Sequence, residues 1–146
     1  MKARRDGYDG YGNATLNKPD DVDESWKLLT QKGHKLMVEQ FITFERELAV
    51  MVVRGRDGEV LTYPVVETVQ QDHICHIVRA PAHIAPEIAA RAAEMSRKAV
   101  EAVNGVGVFG IELFLLADGT LLFNELAPRP HNSGHYTIEG CFTSQF

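Results

Sequence analysis

"VFGIELFLLADGTLLFNEL", Val108 to Leu126, is two apolar runs around Ala117-Asp118-Gly119-Thr120. Asp-Gly between such runs is a hairpin signal. With Asp118-Gly119 as a two-residue turn, Leu116 faces Leu121, Phe114 faces Phe123 and Glu112 faces Glu125. Directly opposed side chains on one face have Cβ atoms roughly 4.5–5.5 Å apart, and like charges there repel. Three arrangements relieve that repulsion: one carboxyl keeps a proton through a raised pKa, the pair leans into solvent, or a divalent cation sits between the two. Both glutamates are embedded in apolar runs, which places them near the buried end of the sheet. Oxygen ligands without nearby cysteine select Mg²⁺ or Mn²⁺ rather than zinc. Asn124 offers a further oxygen, but in a regular ladder it points to the opposite face and joins the pair only through a bulge or at the strand end.

Upstream, "PEIAARAAEMSRKAVEAV" puts Ile88, Ala92, Met95, Ala99 and Val103 on one helical face, with Pro86 at its start and Asn104-Gly105 at its exit. "ELAVMVVR" and "EVLTYPVVE" flank Arg56-Asp57-Gly58 and predict a second hairpin, preceded by a strand-like "KLMVEQF". "QQDHICHIVRAPA" reads as a looser segment, with His73 and His76 as surface residues beside Cys75. "DDVDESWKLLTQKG" predicts a short surface helix, with Val22, Trp26 and Leu29 at helical spacing, acids that favour the helix dipole at its front and Gly33 as a stop. The expected architecture is α+β: an antiparallel sheet with packed helices, and an incomplete lid before it.

With 146 residues, 45% of them hydrophobic, the chain can bury a core of its own. A formal net charge of −5 provides no basic field for a phosphate backbone, so nucleic acid is a poor partner. No window approaches the roughly 18 apolar residues of a membrane span. Cys75 and Cys141 are far apart, which suits reduced thiols and a cytoplasmic location.

The opening "KARRDGYDGYGN" holds three glycines beside Lys2, Arg4 and Arg5. Such a loop can turn backbone N–H groups toward phosphate oxygens. It has neither the P-loop ending nor the dinucleotide fingerprint, and alone it reads equally as a surface turn. Combined with opposed carboxylates suited to Mg²⁺, it describes a nucleoside triphosphate site of another kind.

"GYDGYGN", "VEQF", "FERELAV", "YPVVET", "NELAPRPHNSGHYTIEGC" and the closing "TSQF" resemble the ATP-grasp part of the N5-carboxyaminoimidazole ribonucleotide synthetases. These are ATP-dependent ligases of purine biosynthesis, also called the ATPase subunit of phosphoribosylaminoimidazole carboxylase. The resemblance runs through the whole chain and looks closest to the fungal version. It implies an ATP-grasp fold fragment, with residues 1–37 as a partial lid and 38–146 as the C-terminal subdomain.

By the same resemblance, Lys2 matches a lysine that contacts ATP phosphate, and Gly7, Tyr8, Asp9, Gly10, Tyr11, Gly12 and Asn13 match the lid loop. Glu39, Gln40, Phe41 and Ile42 match the adenine-reading hinge, and Glu47 the acid that binds ribose. Glu112 and Glu125 match the Mg²⁺-binding pair, with Asn124 and Glu125 beside the nucleotide. Arg129, His131 and Asn132 match the residues at the transferred phosphoryl group, and with Ser133 and His135 they match the loop that meets aminoimidazole ribonucleotide. Gln70 stands where many bacterial members carry a histidine; it offers a donor and an acceptor but cannot gain charge.

The resemblance also implies ATP with Mg²⁺ or Mn²⁺, bicarbonate and aminoimidazole ribonucleotide as small-molecule partners, a homodimer, and a fused or separate mutase-type carboxylase. The family's chain extends on both sides of the matching stretch, so the sequence reads as a fragment or truncated product. That leaves open a non-catalytic module that binds nucleotide or makes subunit contacts, and another ATP-grasp ligase. A zinc site on His131 and His135 is disfavoured, because Asn132-Ser133-Gly134 reads as a loop and no third ligand is near in sequence.

Overall fold

The computed structural model describes residues 1–6, 12–31, 33–71 and 74–146. In chain order the elements are β1 (Lys2–Ala3), α1 (Asp21–Thr30), β2 (Leu36–Met37), β3 (Arg46–Arg54), β4 (Val60–Thr62), β5 (Val66–Gln71), β6 (Ile74–Arg79), α2 (Pro86–Ala102), β7 (Gly107–Leu115), β8 (Leu121–Ala127), a 3-10 turn (Asn132–Gly134) and α3 (Thr137–Gly140). The chain divides into two compact units, Met1–Thr43 with Gln71–Ile74, and Phe44–Gln70 with Cys75–Phe146.

In the first unit β1 pairs antiparallel with β2, Lys2 opposite Met37 and Ala3 opposite Leu36. Helix α1 buries Ser25 and Leu29, while Trp26 remains 54% exposed, so its inner face lies to one side of the Val22-Trp26-Leu29 stripe. Gly33 ends it at φ +73°, its N–H donating to the Thr30 carbonyl at 2.8 Å. Of the apolar "KLMVEQF" only Leu36–Met37 is strand, and Val38 to Phe44 run without a ladder.

The second unit is built on a sheet ordered β6-β5-β3-β7-β8, with β4 also pairing β3. Strand β3 is central and antiparallel to β4, β5 and β7. Leu48 to Val52 are at most 1% exposed. A strand covered on both faces reads as a continuous apolar run rather than an alternation, as "LAVMV" does. Leu48, Val50, Val52, Ile111, Leu113 and Leu115 fill the face under α2, with Ala92 and Val100 from the helix.

The buried stripe of α2 is Ala92, Ser96 and Val100, flanked by Ile88 and Met95. Val103 is 58% exposed, because the helix has ended there and Asn104 turns away at φ +50°. The buried Ser96 hydroxyl donates to the Ala92 carbonyl at 2.8 Å, which removes the cost of an unpaired polar group.

Two further segments differ from the sequence reading. "EVLTYPVVE" is broken at Tyr63-Pro64 into β4 and β5, since proline cannot donate to a ladder. "ICHIVR" is the edge strand β6 rather than a loose segment; His76 on it is exposed, and His73 lies outside the described residues. Both cysteines are free.

Candidate functional site

The hairpin of β7 and β8 turns through three residues, not two. The Leu116 N–H donates to the Thr120 carbonyl and the Gly119 N–H to the Leu116 carbonyl, each at 2.9 Å, with Gly119 at φ +81°. This is a tight turn closed by a left-handed glycine. Pairing next to it is therefore Leu115 with Leu121, Phe114 with Leu122 and Leu113 with Phe123. The expected pairs Leu116–Leu121 and Phe114–Phe123 are wrong by one residue. A bulge then inserts Asn124, and beyond it Glu112 does face Glu125 and Gly110 faces Ala127. The bulge also re-aims Asn124, whose amide Nδ2 reaches Glu112 Oε2 at 3.4 Å.

On the face opposite α2, Glu112 shares a surface with Glu47, which pairs Thr68 across β3 and β5 and Phe114 across β3 and β7. Glu47 is 8% exposed, and its Oε1 accepts from the Thr68 hydroxyl at 2.7 Å and from Gln70 Nε2 at 2.5 Å. Gln70 thus acts on Glu47, a role its sequence position did not suggest. Thr68, unnoticed in the sequence, was signalled only by strand alternation with Gln70. Phe44 stacks on Phe114 beside Glu47, with centroids 4.4 Å apart. Burial pushes the Glu112 carboxyl up to about 7, reinforced by Glu47 and then Glu125, while Asn124 and Arg129 pull it down. That upward shift is the direction of the first of the three ways to relieve the carboxylate pair.

After β8 the loop folds back over β7. His131 rests on Gly110, where a Cβ would lie 2.5 Å from the His131 Cβ, so glycine is required there for steric room. The His131 ring is buried, with Nδ1 2.9 Å from Ser133 Oγ and Nε2 3.8 Å from Glu112 Oε1. Burial and the Arg129 charge hold its pKa below the usual histidine range. Asn124, Glu125, Arg129, Asn132 and His135 are exposed; His131 and Ser133 are not. The Arg129 guanidinium donates to the adjacent Pro130 carbonyl at 3.1 Å, and the Asn132 Oδ1 accepts the Ser133 N–H at 2.8 Å. The exposed groups are open to solvent, and the buried ones hold the loop.

In the first unit, Lys2 and Glu39 form an ion pair at 2.5 Å, both about half exposed. They line a cleft of about 310 Å³ with Asn13, Gln40 and Phe41. Phe41 is 74% exposed at the cleft wall, and Ile42 follows it half-buried. The Ala3 N–H donates to the Gly12 carbonyl at 2.7 Å and the Ala14 N–H to the Met1 carbonyl at 2.8 Å. Gly12 and Asn13 thereby return beside β1; Gly7, Tyr8, Asp9, Gly10 and Tyr11 lie outside the described residues.

Glu112 and Glu125, with Asn124 alongside, fit a hard divalent cation. Their mutual repulsion in a half-buried setting is what such an ion relieves, and they offer oxygen without thiolate. Among the described residues no group of three His, Cys, Asp or Glu is gathered for a metal.

Comparison with known proteins places the whole chain in one family. The phosphoribosylaminoimidazole carboxylase of Schizosaccharomyces pombe is 48% identical over 147 residues, covering 100% of this chain and 26% of its own length. The carboxyaminoimidazole ribonucleotide synthase of Aspergillus clavatus, solved with ATP, superposes with a TM-score of 0.93 at 50% identity over 99% of this chain and 37% of that one. A second structure from that organism, with ADP and 5-aminoimidazole ribonucleotide, gives 0.89 at 48% identity over 99% of this chain and 36% of that one. The chain thus spans roughly a quarter of the curated relative and a little over a third of the solved ones. Residues 1–146 match the ATP-grasp domain, and the chain belongs to that family.

Proposed function

We propose that this chain is the ATP-grasp part of an enzyme that carboxylates 5-aminoimidazole ribonucleotide with ATP and bicarbonate, giving the N5-carboxy product in purine biosynthesis. The observation that carries this reading is the bulge at Asn124, which gathers the opposed glutamates and the His131 loop at one end of β7 and β8. The relatives solved with ATP and with the ribonucleotide support the same assignment.

In this reading a bicarbonate oxygen bonds to the γ-phosphorus as the bond to the β-phosphate oxygen breaks, releasing ADP. The resulting carboxyphosphate yields CO₂ and phosphate, and the amine of the ribonucleotide attacks CO₂ and loses a proton. Phosphoryl transfer needs alignment and charge stabilisation more than covalent help. Glu112 and Glu125 hold Mg²⁺ or Mn²⁺, which when bound neutralises phosphate charge. Arg129 offers a cation beside the carboxylates, and Asn132 and His135 point into solvent where the ribonucleotide would lie. Ser133 acts through His131. Lys2 and Asn13 face the phosphates, Glu39 to Ile42 read adenine, and Glu47, held by Thr68 and Gln70, takes the ribose. Residues 1–37 serve as the lid and 38–146 as the subdomain that carries the metal. No helix among the described residues is long and apolar enough to cross a membrane; a cytoplasmic enzyme, a homodimer and a mutase-type carboxylase partner complete the proposal.

The test is a resonance-by-resonance NMR titration. MgADP is expected to shift Glu112, Asn124 and Glu125, and the ribonucleotide added next to shift Arg129 to His135 while leaving α2 unchanged. Nucleotide binding with no response to the ribonucleotide would favour a nucleotide-binding module; response to neither would overturn both readings.

A further inference from the structure

Gln145, at 3% exposure, spends its whole side chain on one residue. Its Oε1 accepts the His131 N–H at 2.9 Å, and its Nε2 donates to the His131 carbonyl at 2.8 Å. Those two backbone groups would be paired by a neighbouring strand in a sheet; here a carboxamide takes the strand's place. The Gln145 N–H donates to Thr137 Oγ1 at 3.0 Å, and that hydroxyl donates to the Gly134 carbonyl at 2.7 Å. Thr137 is fully buried. A Cβ on Gly134 would stand 2.5 Å from Gln145 Oε1 and 2.8 Å from Met51 Cγ of β3, so the clamp is packed directly against the central strand.

We infer that Gln145 is a positioning residue for the His131 loop: by clamping both backbone groups of His131 it sets the separation between that loop and the Glu112–Glu125 pair. The two side-chain bonds leave His131 no freedom to slide along β7, and its ring is then fixed at Nδ1 by Ser133 with Nε2 facing Glu112. Leaving a buried N–H and C=O unpaired would cost far more than a typical bond contributes, so without Gln145 the loop must move to find water. Exposed Arg129, Asn132 and His135 would move with it. The functional part of this inference rests on the proposed carboxylation; the geometric part does not.

The experiment uses the ¹⁵N-labelled chain, wild type, Gln145→Leu, Gln145→Glu and Thr137→Ser. In the wild type the His131 amide is expected to exchange with solvent at least on the order of 10³-fold more slowly than an open amide. Gln145→Leu should abolish that protection and shift both His131 ring nitrogens, keep MgADP affinity within about twofold, and weaken the response of Arg129 to His135 to the ribonucleotide by about tenfold or more. Gln145→Glu keeps the acceptor but sets an oxygen against the His131 carbonyl, and should reproduce the ring shifts if the leucine variant does not fold. Thr137→Ser keeps the hydroxyl and should resemble wild type. An unprotected His131 amide in the wild type, or unchanged ring nitrogens in a folded variant, overturns the inference. Absence of MgADP or ribonucleotide binding in the wild type would count against the proposed function alone, since exchange and ring shifts are read without ligand.

Discussion

The hairpins β3–β4 and β7–β8 begin alike and end differently. Gly55 to Glu59 and Leu116 to Thr120 are the same loop: a left-handed glycine, Gly58 at φ +90° and Gly119 at +81°, and an aspartate accepting the N–H two residues on, Asp57 from Glu59 at 3.1 Å and Asp118 from Thr120 at 2.9 Å. From Arg54 opposite Val60 the first ladder keeps its register only to Val52 opposite Thr62; it stops at Tyr63-Pro64, and the separate strand β5 resumes on β3 at Ala49 opposite Val66. The second breaks at Asn124 and resumes one residue out of step. The proline break sets Thr68 and Gln70 of β5 against Glu47, whereas the bulge presents a carboxylate pair that the sheet alone would not tolerate.

The largest effect that should separate them is electrostatic. Glu112 in the folded chain titrates near 7, above the ordinary carboxylate range. Between about pH 4.5 and 7 the native state therefore holds a proton that the unfolded chain has released, so stability falls as pH rises through that window and levels off above it. Glu112→Gln removes the penalty: the variant should exceed wild type by up to about 3 kcal/mol near pH 8 and match it near pH 4, read from urea melts at both pH values. Equal stability at the higher pH would mean that the pair is solvated.

Next comes the loop seat. Gly110→Ala should cost about 1–3 kcal/mol and displace His131, because the new methyl overlaps the His131 Cβ. A crystal structure of the variant with His131 unmoved would contradict the packing. Asn124→Ala should be milder, about 0.5–1.5 kcal/mol, and should raise the pH at which Mg²⁺ half-binds, since the amide bond that favours the charged form of Glu112 is gone. An unchanged midpoint would leave the bulge without an electrostatic role. Smallest and equal should be Asp57→Ala and Asp118→Ala, each about 0.5–1 kcal/mol, because the two loops are the same device. Unequal losses would break the parallel.

The carboxylate pairing was legible in the sequence through two errors that cancel. Asp-Gly signals a tight turn, but the dipeptide does not distinguish a two-residue loop from a three-residue one closed by glycine, and the residue lost there is restored at Asn124. The apolar run of β3 and the limits of α2 were readable because burial and capping leave periodic marks. Strand β6 was not: "ICHIVR" is an exposed edge with no clean alternation. The clamp on His131 was beyond any pattern, since it joins residues 14 apart through a side chain in irregular backbone. The glutamates carried a signal because their conflict is local; Gln145 lies in the resembling "TSQF", but nothing there points to His131, because its partner is chosen by the fold.

The most direct measurement is calorimetric titration of this chain with Mg²⁺ and a non-hydrolysable ATP analogue, beside Glu112→Gln/Glu125→Gln. The account predicts metal-dependent binding in the wild type and loss of that metal dependence in the double variant. Binding of equal strength in both would contradict it, because the bulged hairpin would then hold no metal.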